Sequence, residues 1–327
     1  MKKEASILVT GGAGYIGSHI CKALKLSGYN PVTYDNLVTG NAHAVKWGPL
    51  ENGDVLDRDR LIEVIKKYDT KAVIHLAAYI AVGESVENPG KYYKNNVMGG
   101  LSLLEAMCKT DMDKIIFSST AAVYGIPEIV PLTEESKTLP INPYGFSKFA
   151  VEHMLQDYKI SHDLKSVILR YFNVAGADPE SEIGCEHKKP NNLIPILMNV
   201  QSQKQDYLQI FGNDYQTEDG TAVRDYIHVS DLADAHILAL EYLINDGDNE
   251  IFNLGTGKGR SVAEVVDSVK RVTGKDVPIK NAPRRAGDPP ILFADASKAN
   301  NILKWQPKHT DLDSIIKTAW DWQKKIS

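Results

Sequence analysis

Three glycines at a fixed spacing, directly behind a short β-branched run, constrain this chain more than any other feature. Ile7–Leu8–Val9 is the heart of a strand expected over Ser6 to Thr10, and Gly11, Gly14 and Gly17 follow it at once. An apolar rhythm through Ile16, Ile20, Ala23 and Leu24 then predicts a helix ending near Gly28. Without Cβ atoms, the chain can turn tightly, admit a pyrophosphate to its backbone and pack helix on strand. The helix start directs unpaired N–H groups and a partial positive charge at the same place. A second strand, Pro31 to Asp35, ends on a carboxylate 18 residues beyond Gly17. An acid there accepts both hydroxyls of an adenosine ribose, which favours NAD over a 2′-phosphorylated dinucleotide. Asp54, behind a candidate third strand, is placed to meet the adenine amine.

The alternation continues. Leu61, Ile62, Val64 and Ile65 predict a helix, and Ala72 to Leu76 a strand. A helix follows Pro89 and runs past Met98, with Gly99–Gly100 a weak point midway. Ile115 to Ser119 and Val167 to Phe172 are further strands, and Asn142–Pro143–Tyr144 opens a helix to about Tyr158. Ser261 and Glu264 form a capping box, and Ile315 to Trp322 a terminal helix. Near-continuous apolar strands between helices imply an α/β fold, a Rossmann-type parallel sheet with helices on both faces. A smaller α/β lobe for substrate is expected at the C-terminal side. The expected division is 1–173 for the dinucleotide and 174–327 mainly for substrate, with 221–254 returning to the first part.

Composition narrows the partners. A chain of 327 residues buries about three quarters of its surface on folding, enough for two domains. The net charge of −5 supplies no broad positive field, so nucleic acid is not expected as a partner. No apolar run approaches the roughly 20 residues needed to cross a bilayer. The N-terminal apolar run leads straight into the glycine turn and reads as a strand, not a leader. Cys21, Cys108 and Cys185 are scattered and odd in number, which suits a reducing cytoplasm. Cys185 and His187 are too few for a metal site, and no metal is expected.

Tyr144 and Lys148 stand four apart, on one face of their helix. A phenol is a poor base at neutral pH because its reference pKa is near 10, and adjacent positive charge lowers it. Lys148 supplies such a charge and can also hold a nicotinamide ribose. Thr120 lies just beyond a strand, where its hydroxyl can bridge a reacting oxygen and Tyr144. The trio fits removal of an alcohol proton as hydride leaves carbon.

These residues, with TGGAGYIG (10–17), SSTAAVYG (118–125), NPYGFSK (142–148), RYFNVAGA (170–177), the run from Ile210 to His236 and RRAGDPP (284–290), resemble the extended short-chain dehydrogenase/reductases. Within them the resemblance is to the UDP-glucose 4-epimerase family, and it spans almost the whole chain. It implies retained NAD, oxidation of UDP-glucose or UDP-galactose at C4, rotation of the 4-keto sugar and return of hydride. Tyr144 would be the base, helped by Thr120 and Lys148. Gly11, Gly14, Tyr15, Ile16, Gly17, Asp35, Asn36, Asp54, Val55, Leu76, Ala77, Asn95, Lys148 and Tyr171 would hold the cofactor. Thr120, Tyr144, Asn173, Asn192, Leu193, Phe211, Arg224, Tyr226, Arg285 and Asp288 would meet the UDP-sugar, with both arginines on the diphosphate. A homodimer through the helices after Pro89 and Pro143 is also implied.

Three positions depart from the family pattern. Thr120 replaces a serine of some members, Ile80 replaces a lysine near the pyrophosphate, and Leu292 stands where residue size sets the sugar pocket. Epimerization of N-acetylhexosamine or pentose nucleotides therefore stays open. A 4,6-dehydratase needs a carboxylate after Thr120, where Ala121 and Ala122 stand. A simple dehydrogenase would need an external redox partner. A non-enzymatic NAD-binding regulator would have lost Tyr144 or Lys148.

Overall fold

The computed structural model describes residues 4–187, 190–285 and 288–327. Its strands in chain order are β1 (Ser6–Thr10), β2 (Asn30–Asp35), β3 (Leu50–Asn52), β4 (Ala72–His75), β5 (Lys114–Ser118) and β6 (Lys165–Tyr171). There follow β7 (Asn173–Ala175), β8 (Leu208–Phe211), β9 (Val223–His228), β10 (Glu250–Leu254), β11 (Gly259–Ser261), β12 (Ile279–Ala282) and β13 (Ile291–Leu292). The helices are α1 (Tyr15–Leu26), α2 (Arg58–Tyr68), α3 (Val82–Glu87), α4 (Pro89–Tyr92), α5 (Gly99–Lys109) and α6 (Pro143–His162). The C-terminal half adds α7 (Leu193–Gln201), α8 (Val229–Ile244), α9 (Val262–Thr273), α10 (Ser297–Ile302) and α11 (Leu312–Ile326).

Seven parallel strands form the main sheet, ordered β10-β6-β5-β4-β1-β2-β3. Strand order reverses beside β1, which puts a crevice at the carboxyl ends of β1 and β4. Alternate residues of β1 serve opposite layers. Ile7 and Val9 pack with α1 and α8, whereas Leu8 packs with α2, α5 and α6. This double burial is why the strand sequences are continuously apolar.

The other strands form smaller sheets. β7, β11 and β13 pair with β9, and β12 pairs parallel to β8. Their apolar faces close against α7, α9 and α11. The Ser261–Glu264 capping box opens α9 in both of its bonds. Strand β9 belongs to this second group, while α8 and β10 after it return to the large sheet.

The helix after Pro89 differs from its expected form. A π-helical turn over Tyr93–Met98 joins α4 to α5. Within it Asn96, 3% exposed, bonds both backbone groups of Tyr79 and the hydroxyl of Ser147. The chain stays helical through Gly99 and Gly100, which begin α5. A Cβ would come within 2.7 Å of Val55 at Gly99 and 3.0 Å of Val151 at Gly100, so they let α5 approach the chain after β3 and helix α6 closely.

Candidate active site

The glycine turn closes around its own backbone. Gly11 has φ +74°, and a Cβ there would lie 2.8 Å from the Ala77 nitrogen. A Cβ on Gly17 would lie 2.2 Å from the Gly11 carbonyl oxygen. Gly14 caps α1 without a side chain, and no acid stands in the first turn. The N–H groups of Tyr15, Ile16 and Gly17 thus begin a helix with no internal partners, facing the end of β1. The Tyr15 hydroxyl donates instead to the Gly176 carbonyl at 2.7 Å, tying α1 to the loop after β7.

Asp35 is 8% exposed at the end of β2. Its carboxylate accepts from Ala13 N at 3.0 Å and Leu37 N at 2.8 Å, with lone pairs left over. Burial raises its pKa, and those two bonds oppose the rise. Asn36 donates to Asp54 at 3.0 Å, so both sit on one wall. Val55 is buried beside them, and Leu76 and Ala77 line the end of β4. Asn95 lies in the π turn and donates to Asn96 at 2.9 Å. A Cβ-free cradle, a donor-rich helix start and an acid at the second strand end fit a dinucleotide.

Thr120, Tyr144 and Lys148 meet beside this cradle. Thr120 follows β5, is 8% exposed and caps a short 3₁₀ turn by accepting from Ala122 N at 3.2 Å. Tyr144 and Lys148 are buried on the first two turns of α6, whose start is capped by Asn142. Burial raises the Tyr144 pKa, and a hydrogen bond with Thr120 opposes the rise. The Lys148 ammonium donates to the Ser118 carbonyl at 2.7 Å and lies 4.9 Å over the Phe117 ring. Burial pulls its pKa down to about 7, against the raising effect of Glu152. Burial thus opposes the positive charge that would favour the Tyr144 phenolate. Tyr171 ends β6 close to Tyr144, and burial raises its pKa as well.

The second group of strands carries most of the residues expected at the nucleotide sugar. Asn173 pairs with Tyr226 across β7 and β9, and Leu292 pairs with Arg224 across β13 and β9. Arg224 stands 3.9 Å from Asp288, and the Arg285 guanidinium lies 3.9 Å over the Phe211 ring. Asn192 and Leu193 begin α7, and the Asn192 side chain makes no capping bond. Ile80 is exposed.

Sequence reasoning missed several neighbours. Asn96 braces the loop after β4, and His75 stacks on Phe117 while bonding Thr10 at 2.7 Å. Glu152 and Arg170 form a buried ion pair behind α6. The available signal was a polar residue inside an apolar run, as in Ala72–His75. Among the described residues one acidic trio, Asp178, Glu180 and Glu182, has the spacing for a metal. Lys22 already fills it, at 2.8 Å from both Asp178 and Glu182.

Residues 7–255 match the NAD dependent epimerase/dehydratase family. The chain is 48% identical to the UDP-glucose 4-epimerase of Rhizobium meliloti (strain 1021), over 98% of this chain and 97% of that protein. The crystal structure of UDP-glucose 4-epimerase from Brucella ovis in complex with NAD superposes with TM-score 0.95. It shares 50% identity over 97% of this chain and 98% of that one. The enzyme from Stenotrophomonas maltophila, with bound NAD and formylated UDP-arabinopyranose, also gives 0.95. Its identity is 40% over 99% of both chains. With its cofactor cradle and its Thr120–Tyr144–Lys148 cluster, the chain belongs to the NAD dependent epimerase/dehydratase family, among the UDP-glucose 4-epimerases.

Proposed function

We propose that this chain interconverts UDP-glucose and UDP-galactose, with Tyr144 moving the proton of the sugar 4-hydroxyl. The observation that carries the reading is the meeting of Thr120, Tyr144 and Lys148 beside the glycine turn. NAD, held by Gly11 to Gly17, Asp35, Asn36 and Asp54, supplies the group that takes hydride from C4 and gives it back. Thr120 orients the 4-hydroxyl and shares a proton with Tyr144. Lys148 holds a ribose hydroxyl and favours the phenolate in its charged form. Tyr144 returns the proton after the 4-keto sugar has turned its other face. The net redox change is zero, so no external reductant is required.

Arg224 and Arg285 neutralise the diphosphate, Asp288 takes a uridine ribose hydroxyl, and Phe211 and Tyr226 flank the nucleotide. Asn173, Asn192 and Leu193 hold the sugar end. In this division residues 1–173 serve the cofactor and 174–327 mainly the nucleotide sugar; of 221–254, β9 stays with the second group while α8 and β10 return to the first part. The chain works as a homodimer in the cytoplasm. Exposed Tyr93, Met98, Leu101 and Phe146 on the helices after Pro89 and Pro143 support the dimer. No helix among the described residues is long and apolar enough to cross a membrane, and all three cysteines are free thiols.

Purified protein given UDP-glucose alone is expected to form UDP-galactose, as read by chromatography. Folded, NAD-loaded protein that leaves UDP-glucose unchanged would reject the substrate. UDP-N-acetylglucosamine and a UDP-pentose run beside it decide whether Leu292 leaves room for other sugars.

A further inference from the structure

One fully buried charged group lies next to the proton-transfer residues without a task in the reaction. Glu152 is 1% exposed and stands one turn beyond Lys148 and two beyond Tyr144, on the same face of α6. Its carboxylate takes three bonds from two other elements. Arg170 of β6 donates through Nε at 3.0 Å and Nη2 at 2.5 Å, and the Ser119 hydroxyl donates at 2.5 Å. Arg170 also donates to the Tyr124 hydroxyl at 3.1 Å, and that hydroxyl donates to Asn253 of β10 at 2.7 Å.

A buried ion pair is a poor source of net stability, because desolvating two charges offsets much of their attraction. This pair holds something in place instead. Ser119 directly precedes Thr120, and Thr120 is extended, with φ −155° and ψ 150°. Neighbouring side chains on extended backbone point to opposite sides. Ser119 therefore reaches Glu152 in the interior while Thr120 reaches Tyr144 in the site. One bond, from Ser119 to Glu152, ties the turn to the helix, and it fixes which side of the turn Thr120 presents to Tyr144.

We propose that Glu152, clamped by Arg170, is a positioning residue whose bond to Ser119 aims the Thr120 hydroxyl at Tyr144. This rests on the role given above to Thr120 and Tyr144. Replacing Ser119 by alanine removes the tie but leaves the ion pair whole. In the NAD-loaded enzyme, Ser119→Ala is expected to lower kcat about tenfold, the worth of one hydrogen bond to a charged group. KM for UDP-glucose and NAD content should stay unchanged, and Ser119→Cys, which keeps a weaker donor, should recover part of the rate. A merely structural role would lower the melting temperature and leave the kcat of folded enzyme alone.

A double-mutant cycle separates the inference from the reading beneath it. If Ser119 acts through Thr120, the Ser119→Ala/Thr120→Ala protein is no slower than Thr120→Ala alone. Losses that multiply, or Ser119→Ala at the wild-type rate beside a slow Thr120→Ala, would overturn the positioning role. Thr120→Ala at the wild-type rate would remove the role of Thr120 itself, and the inference with it. Should Ser119→Ala not fold, Ser119→Cys takes its place in the cycle with the same criteria.

Discussion

The two walls of the site are held in different ways. On the cofactor side, the groups sit at the ends of buried parallel strands. Asp35 is fixed by two backbone donors, Lys148 by the Ser118 carbonyl, and Gly11 by its N–H donating to the Tyr34 carbonyl at 2.8 Å. Arg224, Arg285, Phe211 and Asp288, proposed above for the nucleotide sugar, lie on β8, on β9 and in the chain after β12. They lean mainly on one another, as the Arg224–Asp288 and Arg285–Phe211 contacts show. The first wall is preorganised by the core. On the second, Arg224 and Asp288 stand 3.9 Å apart, a contact that the diphosphate of the proposed substrate would exchange for its own. In the proposed reaction the cofactor stays and the substrate comes and goes, which suits that difference.

Removing the Tyr144 hydroxyl strikes the rigid wall, and its effect should be the largest. Tyr144→Phe is expected to lower kcat by about 10²–10⁴ while folding and NAD content persist, the usual range for losing a general base. Turnover close to wild type would exclude Tyr144 as the proton carrier. Arg285→Ala strikes the loose wall. It should raise KM for UDP-glucose by roughly 10- to 100-fold, as expected for a charge-assisted bond of about 1.5–3 kcal/mol. Its melting temperature should not move, because Arg285 rests on an aromatic face and not within the core. A lowered melting temperature with unchanged KM would erase the contrast between the walls.

The smallest effect concerns acid. His19, His75 and His236 are buried in the cofactor half, and burial pulls their pKa values from 6.5 to about 4, about 3 and about 4. Each has a depressed folded value, so the unfolded chain binds protons first as pH falls. The stability they contribute is complete above pH 6.5 and is lost on the way down to about 3 to 4. Thermal melts should show the midpoint falling from pH 6.5 toward 4. His19→Gln should flatten part of that slope. An unchanged slope would mean that His19 is protonated in the fold.

Much of the rigid wall was legible because its chemistry is local. The glycine spacing dictates a turn, the next strand delivers Asp35, and four residues on a helix put Tyr144 and Lys148 on one face. The charge state was less legible. Lysine beside tyrosine suggested a source of positive charge, and only the fold shows that burial draws Lys148 down to about 7. The π turn was not legible, and the bonds Asn96 makes within it to the Tyr79 backbone join residues 17 apart. On the loose wall, no spacing told that Arg224 meets Asp288 or that Arg285 covers Phe211. Those pairs depend on how β9 lies against β13 and how the chain passes β8.

By itself the sequence determined what can be specified over a few neighbouring residues: a phosphate turn, an acid at a strand end, and a phenol one turn from an amine. These follow from backbone sterics and helix periodicity, which act at short range. The tertiary structure alone decided which buried charges pair, how far Lys148 is desolvated, and which side of the Ser119–Thr120 turn faces the site. Those outcomes depend on contacts between distant segments, such as Glu152 with Arg170, where burial removes the water that would otherwise screen and satisfy each group.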